Sequence, residues 1–355
     1  MRKIDVVVGA QYGSEAKGHV TQRLVAAALD VPSQVRAVNV RVAGPNAGHT
    51  AYDSEGRRYA LRQVPVGAVS PQSVVLVIAP GSEIDPQVLL DELQFLSVDG
   101  HLANKEIWVS PNATLIEDSH KVEEVSRLLV QTAGSTAKGI GAARADRLMR
   151  SARRLVDDQE LCTRLQLTYG VILSDYFPVS RSDSSLDHVI IEGTQGYGLG
   201  LHGKHYPQCT SSDCRAIDFM AMAGISPWGE RVDVWAVARM FPIRVAGNSG
   251  FMYNETTWAE LGLPEEKTTV TQKVRRVGHW DSQLVHDAVR ANGGGAHVRL
   301  ALTMTDQKWP EMAGATSHMS ASIPGEFWKW VDGVERGIGA RISMVTTGPE
   351  TGFNL

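Results

Sequence analysis

Along the chain, short runs of consecutive apolar residues alternate with longer stretches in which apolar positions recur every third or fourth residue. Residues 4–8, 73–78, 188–191, 232–237, 297–303 and 342–345 are such runs. Unbroken apolar character, as opposed to strict alternation, predicts strands covered on both faces. Residues 120–130 place Val122, Val125, Leu128 and Leu129 on one helical face, and residues 151–167 do the same with Leu155, Leu161 and Leu165. Alternating strands and helices predict an α/β fold with a large, mainly parallel central sheet and helices on both faces. The glycine run from Asn292 to Gly295 reads as a helix-terminating turn. No repeat, low-complexity linker or composition break interrupts the pattern, so one domain over residues 1–355 is expected.

Composition narrows the functional classes. With 43% hydrophobic and 21% charged residues, the chain can bury a normal core, which excludes disordered, collagenous and coiled-coil readings. Thirty-five basic against thirty-nine acidic side chains leave a net charge of −4, so a nucleic-acid partner is not expected. Any anionic ligand must be gripped by a local cluster. Cys162, Cys209 and Cys214 form no CxxC pair and no metal-ligand spacing, which argues against a disulfide framework. The lack of a long apolar run or a secretory pattern argues against a membrane partner and for a cytoplasmic location, the host's if the chain is viral.

The first strand runs into Gly9-Ala10-Gln11-Tyr12-Gly13-Ser14-Glu15-Ala16-Lys17-Gly18-His19. Glycines there let backbone N–H groups approach an anion, a helix N-terminus adds partial positive charge, and Lys17 supplies a point charge. The strict phosphate-loop spacing is absent, because Gln11 and Ala16 stand where glycines belong. On these residues alone, an anion loop and a plain strand-to-helix turn both stand. A second element, Gly44-Pro45-Asn46-Ala47-Gly48-His49-Thr50, carries a histidine that is either an ordinary loop residue or a catalyst.

Together these two elements resemble the opening signature of the adenylosuccinate synthetase family. The resemblance extends through Gly134-Ser135-Thr136-Ala137-Lys138-Gly139-Ile140-Gly141, Glu192-Gly193-Thr194-Gln195-Gly196, Thr210-Ser211-Ser212, residues 270–278, Thr303 to Asp306 and Thr346-Thr347-Gly348-Pro349. It implies the family's fold, similar to phosphate-loop NTPases. It also implies a ligase activity that joins L-aspartate to C6 of a purine nucleotide through a 6-phosphoryl intermediate. Nucleoside triphosphate and Mg²⁺ would drive the reaction. Carried over by position, the catalytic residues are Ser14, Lys17 and His49. The triphosphate donor falls to Gly13, Ser14, Glu15, Ala16, Lys17, Gly18, His49, Thr50, Arg275, Asp306, Thr347, Gly348 and Pro349. The purine monophosphate falls to Ser14, Asn46, Ala47, Ser135, Thr136, Arg150, Gln195, Thr210 and Val245. Aspartate falls to Val270, Thr271, Lys273 and Arg275, and Mg²⁺ to Ser14 and Gly48. In the family the arginine matching Arg150 reaches across a homodimer. Thr210 could instead cap a turn, and Arg276 could be a solvated charge.

Three departures matter. Ser14 stands where the family has an aspartate that takes the purine N1 proton and helps hold the metal, and a neutral hydroxyl does neither in the same way. Three readings follow: a non-catalytic nucleotide sensor, a synthetase for inosine monophosphate (IMP) with GTP and a substitute base, or a different purine. A shorter hydroxyl leaves room beside N1 for a 2-amino group. On this last reading the chain resembles a phage branch of the family, whose members turn dGMP into N6-succino-2-amino-2′-deoxyadenylate, a 2-aminoadenine DNA precursor, using ATP or dATP. Met304 replaces the lysine of a Lys-x-Asp base-reading pair, and Lys273 replaces an arginine, keeping charge but losing the two-pronged geometry. A generic kinase or GTPase lacks support from the loop spacing. A serine hydrolase lacks a G-x-S-x-G elbow.

Overall fold

The computed structural model describes residues 2–30, 36–42, 44–174, 187–267 and 273–355. Its centre is a ten-stranded sheet in the order Gly352–Asn354, Arg341–Thr346, Val298–Thr303, Arg231–Arg239, Lys3–Gly9, Asp187–Glu192, Arg36–Arg41, Val75–Ile78, Glu106–Val109, Ile172–Leu173. Every neighbouring pair is parallel except the first, in which Gly352–Asn354 runs antiparallel to Arg341–Thr346. The predicted fold class holds, and all six apolar runs are strands of this sheet.

Successive residues of one strand feed opposite faces. Ile4, Val6 and Val8 enter a core with Phe219, Val285 and Phe327, whereas Val7 enters another with Val20, Leu24, Leu76, Leu93 and Leu165. The helix Lys17–Leu29 buries Val20, Leu24, Val25 and Ala28, and the helix Ser282–Ala291 buries Leu284, Val285, Ala288 and Val289. Each fully buried Leu or Val contributes ~1.5–3 kcal/mol by leaving water. Asp281 caps the second helix, accepting from Leu284 N at 3.0 Å. Asn292 ends it, followed by left-handed Gly293 and Gly294, as the glycine run predicted. Among the described residues no helix is long and apolar enough to cross a membrane.

Two expectations change. The stretch 151–167 is a short 3-10 turn, Leu155–Asp157, and then a helix, Gln159–Tyr169, although Leu155, Leu161 and Leu165 are buried as expected. The helix expected over 120–130 is Asp118–Ser126, and left-handed Leu128 separates it from the turn Leu129–Thr132. Its buried residues are His120 and Glu124, while Val122, Val125 and Leu128 are 66%, 55% and 55% exposed. The polar face turns inward because His120 and Glu124 find partners there, described below.

Ligands of open parallel sheets bind beyond the carboxyl ends of the strands. Here six adjacent strands end in Thr346, Thr303, Arg239, Gly9, Glu192 and Arg41. Arg41, Glu192, Arg239 and Thr303 are fully buried. Charged groups so placed must be paired, and their pairings build the site.

Candidate active site

The loop after the first strand is locked from within. Gln11 extends the neighbouring strand's ladder, donating from Nε2 to Arg239 O and accepting from Arg239 N, both at 3.0 Å. Glu15, fully buried, accepts from Gly13 N at 2.7 Å and Gln11 N at 3.2 Å through one oxygen, and from Lys17 Nζ at 2.5 Å through the other. The amides of Gln11 and Gly13 are therefore committed to Glu15. Gly13, Ser14 and Ala16 all have left-handed backbones, and Ala16 immediately precedes the helix that Lys17 begins. The segment from Glu192 packs against this loop so closely that a side chain at Gly196 would lie 2.6 Å from Gln11 O and Gly13 N. Gln195 arrives by the same approach.

His49 begins a hairpin strand, His49–Tyr52, that abuts the helix Lys17–Leu29. A Cβ on Gly18 would meet Thr50 O at 2.7 Å and His49 Cβ at 2.9 Å, so only glycine permits the approach. His49 Nδ1 lies 2.5 Å from Glu192 Oε1, and Arg41 Nη1 donates to that same oxygen. Arg41 Nη2 donates to Ala47 O at 2.5 Å, fixing the segment that holds Asn46, Ala47 and Gly48. Burial, then the charge of Arg41, pulls the His49 pKa down to about 4 against the opposing pull of Glu192. Burial would push Glu192 up, but Arg41 and His49 hold it below the usual carboxylate range. The imidazole is thus neutral at pH 7. Arg41 Nη1 also lies 2.9 Å from His49 Nδ1, but the nearer carboxylate at 2.5 Å favours the proton on Nδ1, which leaves Nε2 as an acceptor until a second proton arrives.

A third ion pair stands beside Ser14. Arg239 donates from both terminal nitrogens to Glu266, with Nη1 3.1 Å from Oε2, and Nη1 also reaches Ser14 O at 3.4 Å. Burial alone would raise the Glu266 carboxyl, but its hydrogen bond and attraction to Arg239 hold it down. The Glu266 carbonyl accepts from Arg275 N at 2.8 Å, and Lys267 and Val274 form an antiparallel bridge. Glu266 and Arg275 thereby lie side by side at that bridge. Arg275 Nη1 donates to the exposed Ser14 hydroxyl at 2.8 Å, while its buried Nε has no partner. Lys273 is exposed. Val270 and Thr271 lie outside the described residues.

Six of the nine residues assigned to the monophosphate line one cavity of about 320 Å³: Asn46, Ser135, Thr136, Gln195, Thr210 and Val245. That volume matches a small-molecule site. Ser14, Ala47 and Arg150 do not line it. Arg150 sits in a left-handed conformation at the exposed end of the helix Ile140–Met149. Arg244 contributes a wall that the sequence did not announce. It stacks 4.5 Å above the Tyr12 ring and donates to Phe251 O and Gln208 O at 2.8 and 2.9 Å. Burial lowers its pKa to about 10, leaving it cationic at neutral pH.

On the other side of the loop, Thr303 Oγ1 donates to Glu15 O at 2.9 Å. Met304 N and Thr305 Oγ1 bond to Thr346 at 3.1 and 2.8 Å, so the segments around Asp306 and Thr347 form one unit. Burial pushes the Asp306 carboxyl up, and its Oδ1 is buried without a partner. Thr347 Oγ1 donates to Ala315 O at 2.7 Å, with Gly348 and Pro349 following.

A sequence model described as adenylosuccinate synthetase matches residues 6–176 and 171–308. The chain is 32% identical over 352 residues to an adenylosuccinate synthetase of Methanococcus maripaludis (strain C6), covering 99% of this chain and 98% of that protein. It is 34% identical over 353 residues to that of Pyrococcus sp. (strain ST700), covering 97% and 96%. The chain belongs to the adenylosuccinate synthetase family. Family members are nucleoside triphosphate-dependent ligases that form C–N bonds, and this chain is one. Among solved structures it superposes with TM-score 0.77 and 27% identity on the cyanophage S-2L succinoaminodeoxyadenylate synthetase, bound to dGMP and to dATP as energy donor, covering 99% of this chain and 94% of that one. The fully ligated adenylosuccinate synthetase of Plasmodium falciparum shares the fold with TM-score 0.76 at 18% identity, covering 99% of this chain and all of that one.

Arg41, Arg239, Glu266 and Glu124 were missed by the sequence reading. A signal did exist for the arginines. Arg239 ends the apolar run Ala236-Val237-Ala238 where a buried strand meets a site, and Arg41 ends Val38-Asn39-Val40, whose flanking valines mark the same kind of strand end.

Proposed function

We propose that this adenylosuccinate synthetase-family ligase acts on dGMP, joining L-aspartate to C6 with ATP or dATP to give N6-succino-2-amino-2′-deoxyadenylate, nucleoside diphosphate and phosphate. The observation that carries this reading is Ser14. The residue beside the loop is a hydroxyl whose oxygen accepts from Arg275, and no carboxylate replaces it at that position. The likeness to the cyanophage enzyme bound to dGMP and dATP supports it. The curated relatives, named adenylosuccinate synthetases, favour a second reading: IMP with GTP.

The reaction runs in two displacements. The donor's γ-phosphoryl moves to purine O6 as the N1 proton passes to water, or through the Ser14 hydroxyl to the phosphate, and the amine of aspartate then attacks C6, giving up a proton to the departing phosphate. Both steps rest on positioning and charge stabilisation. Lys17, with the first turn of its helix, faces the transferring phosphoryl. His49 takes up a proton as that anion arrives and donates from Nε2, with Glu192 balancing the imidazolium. Arg275, with Lys273, holds the aspartate carboxylates. Asp306, through its unpartnered oxygen, reads the donor base by accepting from its N–H edge.

Among the described residues no group of three or more His, Cys, Asp or Glu could hold a metal ion. The protein donors assigned to Mg²⁺, the Ser14 hydroxyl and the Gly48 carbonyl, are neutral oxygens. Such a set would fit Mg²⁺ with phosphates and water at the other positions. Bound there, it supplies charge neutralisation to the phosphoryl oxygens.

A homodimer accompanies this reading. Arg150 lies outside its own chain's cavity, and exposed Leu148 and Met149 beside it, with Val122 and Val125 on the neighbouring helix, offer an apolar surface for a second copy. Sedimentation at micromolar concentration should give twice 38.5 kDa, and a lone monomer would count against it. Substrate choice is settled by comparing turnover of dGMP, GMP and IMP, with aspartate and either ATP or GTP. We expect dGMP to lead, and a tenfold lead for IMP would reverse the assignment.

A further inference from the structure

The helix Ile140–Met149 begins at the cavity, and a helix N-terminus ordinarily receives a phosphate on its free N–H groups. Here those donors already hold an anion. Glu124, buried on the helix Asp118–Ser126, accepts from Gly139 N at 3.1 Å and Ser135 Oγ at 3.0 Å through one oxygen, and from Gly141 N at 2.7 Å through the other. Ser135 Oγ in turn accepts from Ala137 N at 3.1 Å. A single carboxylate therefore ties residue 135 to residue 141 across a loop in which Gly134, Ala137 and Gly139 are all left-handed. Its own helix is anchored by His120, whose Nδ1 accepts from Glu117 N at 3.0 Å and whose Nε2 lies 3.1 Å from Asp146 Oδ2. Glu124 also lines the cavity beside Ser135, Thr136, Thr210 and Ser211.

We propose that Glu124 is a positioning residue for the purine monophosphate. It holds residues 135–141 in the shape that presents Thr136 and, by filling the helix N-terminus, directs the phosphate toward Asn46, Thr136 and Thr210. The inference rests on the cavity being the monophosphate site. A carboxylate that merely keeps the place until phosphate displaces it would act in the opposite sense, since its removal would free donors and tighten binding.

The test is Glu124→Gln in the full-length protein, with Glu124→Asp as a milder variant that keeps the charge but is too short to serve Gly139 and Gly141 together. Calorimetric titration with dGMP is paired with kinetics in which each of the three substrates is varied. Expected for Gln is a rise of tenfold or more in both Kd and KM for dGMP, with KM for ATP and aspartate within twofold of wild type, and for Asp a smaller rise of the same selectivity. A purely structural role would lower the active fraction, and hence apparent kcat, while leaving every KM in place. That result overturns the inference, as do tighter dGMP binding or an equal rise in all three KM values. If the wild type neither binds nor turns over dGMP or IMP, the reading of the cavity itself falls, which the wild-type titration reveals first.

Discussion

On the proposed reading, Ser14→Asp changes the group beside the purine, with little expected cost to the fold. Ser14 is exposed and sits at φ 60°, a region that Asp enters more readily than most residues. The hydrogen bond from Arg275 Nη1, now 2.8 Å and already charge-assisted at ~1.5–3 kcal/mol, would survive and become an ion pair. What the variant adds is a second oxygen, a negative charge and a base. Against dGMP the extra oxygen crowds the 2-amino group, and forcing an extra heavy atom into a packed contact costs ~1–3 kcal/mol. Against IMP nothing occupies that space, and a carboxylate becomes available for the N1 proton. The ratio of kcat/KM for dGMP over IMP should therefore fall at least tenfold, about 1.4 kcal/mol in relative transition-state binding. The assay is aspartate-dependent phosphate release with each nucleotide, wild type beside variant. A ratio within threefold of wild type, or one that rises, would mean that residue 14 does not face the pyrimidine edge of the acceptor.

Gly18→Ala places a methyl 2.7 Å from Thr50 O and 2.9 Å from His49 Cβ, so kcat should fall ~10²-fold or more through displacement of His49, with circular dichroism unchanged. His49 itself sets an acid limit. With a folded pKa of about 4 below the unfolded ~6.5, the native state binds fewer protons, so the stability in place above ~6.5 erodes as pH falls toward 4. His49→Gln should flatten that slope in melting temperature measured from pH 7 to 4. Asp5 acts lower on the scale. Burial would raise its carboxyl, but the hydrogen bond from His188 and the charge of Lys3 hold it down, and Trp235 Nε1 donates to it at 3.0 Å. Its contribution is present above the ordinary ~3.8 and is lost as pH falls through the lower folded value. Asp5→Asn should lower the melting temperature by several degrees at pH 7, from a broken buried pair worth ~3–5 kcal/mol, and the gap should narrow only as pH falls below the ordinary carboxylate range, through the lower folded value.

Most of the sheet was legible because parallel strands buried on both faces announce themselves as apolar runs. Arg36–Arg41 escaped for a physical reason: five of its six residues are buried, yet Arg41 and Asn39 are among them, held by partners far away in sequence. The helix at Asp118–Ser126 misled by the same logic in reverse. Its apolar residues looked like an inward face, while Glu124 and His120 take that side because loop amides and Asp146 await them. Motif spacing located Lys17, His49 and the cavity residues. It could not locate Glu266, whose significance lies in reaching Arg239 across 27 positions of chain.

Three cations of the resting site are electrically quiet, while Arg244 and Arg275 donate to neutral oxygens. Lys17 is paired with Glu15, Arg41 with Glu192 and Arg239 with Glu266, so an incoming polyanion meets cations that already have counter-ions. At those three, occupancy proceeds by partner exchange, and the salt dependence of nucleotide encounter should rest on Arg244 and Arg275. On the proposed reading, a protein with an overall excess of acid can in this way host three anionic substrates without presenting a basic surface.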